Sequence, residues 1–547
     1  MKHYKIISMG RRIVYRTFLV FSFLILFIPS IILSLDEYID PFAFHTVGLA
    51  QIYYREGRYF PNPITVGSGW QSTANDISIR FVPTLLLLVL SKITGISLWH
   101  LLFLPTIGII FPLFAYLICK SLRLPVIIAI LYAIVTSYNL FMVNAYYISV
   151  GMFFFLVFIY ASLKFIEHRR SIKGIDVSLL ILIFIAAYFS YYTSEFLMLG
   201  YTLSITLLVW VCEKFGAKNL KVKYFSLFLI FLIVFTGFDN IFYWYLESMN
   251  VERASHLFNS YINYVLRLLK SGEEAIFEYR PQIGNPLLVY IEFIQQILVW
   301  AAIGVYLIFT IITKIKIKDV RKIPTALSIE GLILIALFLT GIMETLIYLS
   351  VGYGVYTRTL SIFSSLGALY SLDKLSAIFR TQRKKILKIV FVAVAISIAL
   401  ASIAKFAMRV GDPVNPNGAK LHSKMNVTIS WALSYATHKT VIADLRTIGQ
   451  TFFELTKGEK INSIVLRRLG PEVRYLYSFS NEGINMLFGR KDALLVSSYE
   501  FRERAFIAGE AWRFSPPLRE AFLFLNNHEQ VNKVFDDGRG LIYEYNR

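Results

Sequence analysis

Long apolar runs separated by short loops crowded with lysine and arginine leave this chain few ways to fold. The runs cover residues 17–35, 97–118, 124–140, 149–166, 177–191, 196–212, 224–246, 286–312, 328–350, 357–376 and 386–407. A helix of about 20 apolar residues crosses the hydrocarbon core of a bilayer. Inside lipid, a helix satisfies all of its own backbone polar groups. The chain is 56% hydrophobic and 16% charged, with a mean hydropathy of +0.59, far too apolar for a soluble protein. The pattern predicts an all-α polytopic membrane bundle of about 11 transmembrane helices. A net charge of +20 would suggest nucleic acid in a soluble domain. Here the cations sit in loops between spans, so a nucleic-acid partner is not expected and membrane lipids are.

One further apolar run, 81–91, lies between Arg80 and Lys92 and contains Pro83. It is about half the length a bilayer needs. Charge bias decides its place. If it does not cross, the basic loops at Lys120–Arg123, Lys164–Lys173, Lys214–Lys223, Lys314–Lys322 and Lys374–Lys388 share one side with the basic N-terminus. That side then holds about 26 Lys and Arg against about five acids, and the opposite short loops about nine against about eleven. If 81–91 crossed, every later basic loop would flip outward. The run is therefore expected in the outer interface or as a re-entrant segment. The N-terminus is cytoplasmic, on a retained first helix with no good cleavage site after it.

The outer loops become 36–96, 141–148, 192–195, 247–285 and 351–356, and the tail 408–547 lies outside as well. Two units follow: a transmembrane domain over 1–407, which includes the first outer loop 36–96, and a small extracytoplasmic α/β domain over 408–547. In the tail, 441–444 and 493–498 resemble strands, and 449–457 and 517–527 show helical patterns. Residues 534–545, VFDDGRGLIYEY, predict a hairpin turning at Asp537-Gly538. Asn426-Val427-Thr428 is a glycosylation sequon on the appropriate face, a match common by chance. The two cysteines, Cys119 and Cys212, fall near cytoplasmic helix ends, with neither disulfide nor metal-ligand spacing expected.

Within this scaffold the stretch 36–63, DEYIDPFAFHTVGLAQIYYREGRYFPNP, stands out. Three carboxylates, Asp36, Glu37 and Asp40, follow the first span directly. Asp40-Pro41 then opens a helical pattern, with Asp as N-cap and Pro at the first helical position. Gly57 marks its end, with Pro61 and Pro63 beyond.

A span, an acidic outer loop, a short apolar run, a bundle and an outer tail together resemble the GT-C class of membrane glycosyltransferases. The closest likeness is to the catalytic subunit of prokaryotic oligosaccharyltransferases and to polyprenyl-phosphate-sugar mannosyltransferases. Residues 40–57, DPFAFHTVGLAQIYYREG, resemble that family's first-loop motif. Residues 80–123 resemble its juxtamembrane helix and second span, and 137–152, SYNLFMVNAYYISVGM, its second outer loop. Two features depart from the oligosaccharyltransferases. Ile148, Ser149 and Val150 stand where their metal-holding acidic pair would lie, and no two tryptophans are adjacent, so their Trp-Trp-Asp motif is absent. The resemblance therefore implies a relative that uses a polyprenyl- or dolichyl-monophosphate sugar, with no cofactor and no metal favoured. The acceptor would be a glycan, a lipid or a protein.

The resemblance places the base at Asp40, with Asp36 and Glu37 beside it. As a plain N-cap Asp40 fits equally well. Neighbouring carboxylates raise one another's pKa, which suits a base. A departing phosphate wants a planar cation, and Arg358 is the one charge in the outer turn before the tenth span. Its other role would be snorkelling to headgroups. Glu195, Asp239 and Glu344 fall in the outer halves of spans, where ionisable groups are costly and tend to face a cavity. With His45, Tyr147 and Tyr192 they form a candidate acceptor groove. Tyr146 and Tyr191 share with the latter two the plainer role of an interface belt. Two rival functions remain: an oligosaccharyltransferase or polysaccharide polymerase, and a non-enzymatic transporter or flippase of a lipid-linked sugar. No internal repeat of the transporter kind is visible.

Overall fold

The computed structural model describes residues 24–29, 31–32, 38–39, 41–56, 81–103, 106–138, 147–167, 174–190, 192–214, 224–241, 259, 286–314, 329–350, 360–380, 385–411, 419–420, 425–436, 439–443, 445–457, 465–468, 480–489, 493–498 and 519–545. It is mostly helical. After helical residues at 24–29 and 31–32 come a short strand β1 (Tyr38–Ile39) and helix α1 (Pro41–Glu56). The apolar part continues as α2 (Phe81–Thr94), α3 (Leu98–Phe103), α4 (Thr106–Ser121), α5 (Val126–Ser137), α6 (Tyr147–Glu167), α7 (Gly174–Tyr188) and α8 (Tyr192–Lys214). It is completed by α9 (Tyr224–Ile241), α10 (Pro286–Lys314), α11 (Ile329–Ser350), α12 (Leu360–Arg380) and α13 (Lys385–Gly411).

Among the described residues, three helices are long and apolar enough to cross a membrane, at Ser194–Val211, Tyr290–Phe309 and Ile389–Met408. Only 17% of the second window and 28% of the third are buried. Apolar side chains point outward instead, among them Phe293, Ile294 and Ile308 on α10 and Ile386, Ile389 and Leu400 on α13. Such surface is untenable in water and normal against lipid tails. Shorter apolar helices fill the interior, where α6 packs on α4, α7 and α8, and α12 packs on α10, α11 and α13. Gly200 of α8 faces Thr340 of α11, and Gly367 of α12 faces Ile303 of α10; a Cβ at either position would meet its neighbour at 3.4 Å, an ordinary contact distance.

The turn between α4 and α5 shows how a basic loop closes. Arg123 takes a left-handed conformation, φ 57°. Its amide donates to the Lys120 carbonyl and the Leu124 amide to that of Cys119, both at 3.0 Å. Two carbonyls at the end of α4 are satisfied in this way, and Pro125 prevents the helix from continuing. Tyr138, just past α5, donates to the Ile25 carbonyl at 3.1 Å and sets its ring edge-on to Phe406. The first helical segment, α5 and α13 are thereby tied together.

Run 81–91 forms α2, whose 14 residues span about 21 Å, short of a ~30 Å hydrocarbon core. Its first turn docks on the end of α7. The Val82 amide donates to the Phe189 carbonyl at 3.1 Å, and the Phe81 and Phe189 rings lie 4.7 Å apart. One of the orphan donors of the helix start is satisfied there.

Beyond α13 the chain builds a five-stranded sheet. Its elements are β2 (Ala419–Lys420, outside the sheet), α14 (Met425–Tyr435), β3 (Thr440–Ala443), α15 (Leu445–Lys457), β4 (Val465–Arg468), α16 (Asn481–Phe488), β5 (Ala493–Ser498), α17 (Arg519–Asn526), β6 (Val531–Asp536) and β7 (Gly540–Tyr545). The strand order is β4-β3-β5-β7-β6, with β3 parallel to β4 and β5, and β7 antiparallel to β5 and β6. The period-2 alternation of side chains splits the core into two layers. Ile442, Leu495, Leu541 and Tyr543 pack under α16 and α17. Val441, Ala443, Leu494, Val496 and Ile542 pack under α14 and α15. Local signals fit these elements: Ser480 caps α16 by accepting from the Gly483 amide at 3.1 Å, and Gly489 ends it at φ 66°.

The hairpin turns at residues 537–539, with Gly538 at φ +75°, as the Asp-Gly pair predicts. Asp537 Oδ1 accepts from the Arg539 and Gly540 amides at 2.9 and 2.7 Å, and Oδ2 accepts from the Thr428 hydroxyl at 2.8 Å. The sequon is thus used structurally. Thr428 is fully buried, and Asn426 Oδ1 accepts from Gln450. Gly540 has no room for a side chain, since a Cβ there would lie 2.6 Å from Thr428 Cγ2 and 2.8 Å from its Cβ.

Candidate functional site

Asp36, Glu37, Asp40 and Arg358 lie outside the described residues, as do the side chains of His45, Tyr147, Tyr192, Asp239 and Glu344. Their neighbours are placed, and these outline a junction. Tyr38 and Ile39, between the acids in sequence, pair antiparallel with Lys420 and Ala419, just beyond the last apolar helix. Helix α1 starts at Pro41 and ends at Glu56, before Gly57, as the capping pattern predicts.

Helix α1 has a low amphipathic contrast because it has partners on nearly every side. Val47 belongs to the apolar core of the bundle, whereas Leu49 and Ile52 complete the layer under α14 and α15. Thr46, Ala50 and Tyr53 are also buried. Burial pushes the Tyr53 phenol up from its ordinary pKa, so the ring stays neutral. The helix packs on α15 on one side and on α2, α3 and α6 on others. Tyr54 remains 59% exposed, and Lys92 of α2 sits over its ring at 4.0 Å. The segment assigned to the first outer loop therefore contributes to the C-terminal core as well as to the bundle. This coupling had no local signature, because Leu49 and Ile52 look like any apolar helix positions.

Of the candidate groove residues, Glu195 alone has a described side chain. Glu195, in the first turn of α8, is fully buried. Ser194 beside it donates to the Ala187 carbonyl of α7 at 3.4 Å. Phe238, next to Asp239 in α9, lies 5.1 Å from the Phe189 ring and 5.3 Å from that of Tyr188. Phe196 contacts Phe235 at 5.5 Å. The start of α2 thus joins an aromatic cluster shared by α7, α8 and α9, in which Phe196 and Phe238 are the sequence neighbours of Glu195 and Asp239. Glu344 follows Thr340 by one turn on α11, the helix that meets α8 at Gly200. Ser149 and Val150 are buried positions of α6, Val150 in the apolar core of the bundle. No group of three or more His, Cys, Asp or Glu able to hold a metal occurs among the described residues.

A second polar feature escaped the sequence reading. Between α10, α12 and α13 lies a recess lined by Glu292, Gln295, Gln296, Ser364, Ser365 and Lys405. Gln295 is 5% exposed and donates to the Ile398 carbonyl at 2.9 Å and to Ser402 Oγ at 2.8 Å. A signal was present: Glu292 and Lys405 are ionisable residues inside apolar runs, the same criterion that singled out Glu195, Asp239 and Glu344.

No family model and no curated protein sequence matches the chain. Among solved structures, the chain is similar to ArnT from Cupriavidus metallidurans in the apo state, at 9% identity and a TM-score of 0.40, over 98% of each chain. It is also similar to the same protein bound to undecaprenyl phosphate, at 10% identity and a TM-score of 0.39, over 97% of each chain.

Proposed function

We propose that this chain is an integral membrane glycosyltransferase. It moves a sugar from a polyprenyl- or dolichyl-phosphate-linked donor to an acceptor at the extracytoplasmic face, with inversion. The N-terminus is cytoplasmic, eleven helices cross the bilayer, and the five-stranded C-terminal unit lies outside. The observation that carries the reading is the seat of α1. Its Val47 packs in the apolar core of the bundle, while Leu49 and Ile52 complete a core layer of the α/β unit. A lipid-linked sugar and a polar acceptor would have to meet at such a boundary.

In this reading Asp40, assisted by Asp36 and Glu37, takes the proton from the acceptor hydroxyl. The freed oxygen attacks the anomeric carbon from the face opposite the phosphate. The bond from that carbon to the phosphate oxygen breaks, and its electron pair leaves with the lipid phosphate. Arg358 offsets the developing charge by a bidentate contact. No metal or cofactor is assigned a role. Glu195, Asp239, Glu344, His45, Tyr147 and Tyr192 line the acceptor side.

The test is transfer from a radiolabelled polyprenyl-phosphate sugar by purified full-length protein in detergent. Asp40→Asn is expected to lower turnover by about 10²–10⁴-fold. Wild-type turnover in the Asp36→Ala, Glu37→Ala and Asp40→Ala variants, singly and combined, would refute the base. Survival of transfer in detergent also separates an enzyme from a flippase, which needs two compartments.

A further inference from the structure

We infer that Leu49 and Ile52 are positioning residues for sugar transfer, through which the core layer under α14 and α15 sets the place of Asp40. The inference rests on the reading of Asp40 as the base. Asp40 is joined directly to Pro41, the first residue of α1. The proline ring fixes φ at that joint, which removes one of the soft dihedrals that could uncouple the aspartate from the helix. Two cores grip α1. Val47 belongs to the apolar core of the bundle, whereas Leu49 and Ile52 pack in one layer with Val441 of β3, Ile448 and Phe452 of α15 and Ile542 of β7. Successive residues turn by about 100°, so Leu49 and Ile52 lie roughly 200° and 140° around the helix from Val47. The two grips are therefore on opposite sides of α1.

Leverage gives the size of the effect. At about 1.5 Å per residue, Leu49 lies about 12 Å and Ile52 about 17 Å from the start of α1. Over such an arm a tilt of about 5° moves the start of the helix by about 1 Å. A misplacement of that size can cost about 10²-fold in rate. Truncating Ile52 leaves a cavity that its neighbours fill only in part. The grip then weakens on one side while Val47 still holds the other, and a helix held on one side alone can pivot. The layer on the opposite face of the sheet, which includes Phe488 of α16 and Leu525 of α17, has no member on α1 among the described residues. A cavity there softens the same unit without releasing α1, and so provides the control.

The experiment is a double-mutant cycle on transfer from a radiolabelled polyprenyl-phosphate sugar by full-length protein in detergent. Ile52→Ala is expected to lower kcat about 10–100-fold, with the donor KM within about twofold of wild type. Ile52→Leu, of equal volume, should retain kcat. In the Asp40→Asn background Ile52→Ala should lower the residual rate no further, because a residue that acts through Asp40 has nothing left to place. Leu525→Ala should leave kcat unchanged in both backgrounds. Leu49→Val, which removes one methylene, gives the same cycle with a smaller loss should Ile52→Ala fail to fold. Equal fold-losses in the two backgrounds would mark a purely structural role and overturn the inference. So would an equal loss of kcat in Leu525→Ala. Lost turnover in Asp40→Asn beside an unaffected Ile52→Ala overturns the inference alone, whereas wild-type turnover in Asp40→Asn overturns the base and this inference with it.

Discussion

Thr428, Asp537 and Gly540 form a small lock whose parts need one another. Desolvation alone would raise the Asp537 pKa, but hydrogen bonds from the Gly540 and Arg539 amides and the Thr428 hydroxyl outweigh it and lower the value. A carboxyl depressed in the folded state adds stability above its unfolded pKa, and that stability is lost as pH falls through the folded value. Asp537→Asn is therefore expected to melt at a lower temperature than wild type at pH 7, the gap closing as pH drops below about 4. Thermal unfolding of the full-length protein in detergent across pH 7 to 3 measures this. A gap that persists undiminished at pH 3 would contradict the assignment. The turn itself was legible, because Asp-Gly between two β-prone runs has a local mechanism. The tie to Thr428 was not legible. It joins positions 109 residues apart, and the sequon there suggested a surface asparagine instead.

At the scale of elements, α1 is the piece whose placement decides the most. Its bounds were readable from Asp-Pro and Gly, yet its role was not, since a 16-residue helix in an outer loop looks self-contained. Leu49 and Ile52 are 1% and 2% exposed and sit in the C-terminal core. Truncating one such side chain typically costs about 2–5 kcal/mol. Leu49→Ala and Ile52→Ala are expected to loosen α1 from α15. Hydrogen exchange should then rise in α1 and α15 together while α7 and α8 stay protected. Exchange confined to α1 would argue against the shared core. Strand β4, α14 and α16 gave no clear periodic signal, being short, and only packing against β3 and β5 reveals them. Run 81–91 was the opposite case, for its charged bounds were readable in the sequence, and α2 there has 14 residues.

For the whole molecule, the apolar runs were legible because bilayer length and backbone satisfaction leave little choice. The recess around Glu292 and Lys405 was not, since three separate helices supply it. The proposed orientation predicts opposite accessibility for two exposed positions. In a cysteine-free background, Arg539→Cys should react with a membrane-impermeant maleimide on intact cells, and Lys120→Cys only after permeabilisation. Equal labelling of both on intact cells would overturn the topology.

The pairing of Tyr38 with Lys420 joins residues roughly 380 positions apart, a very non-local contact by folding standards. During synthesis β1 has no partner until the ribosome has passed the last apolar helix, and α1 must wait longer for α15. The junction is therefore assembled last although half of it is translated first. A nascent chain halted anywhere before residue 445 would carry β1 and the apolar helices and still lack the layer that seats Leu49 and Ile52.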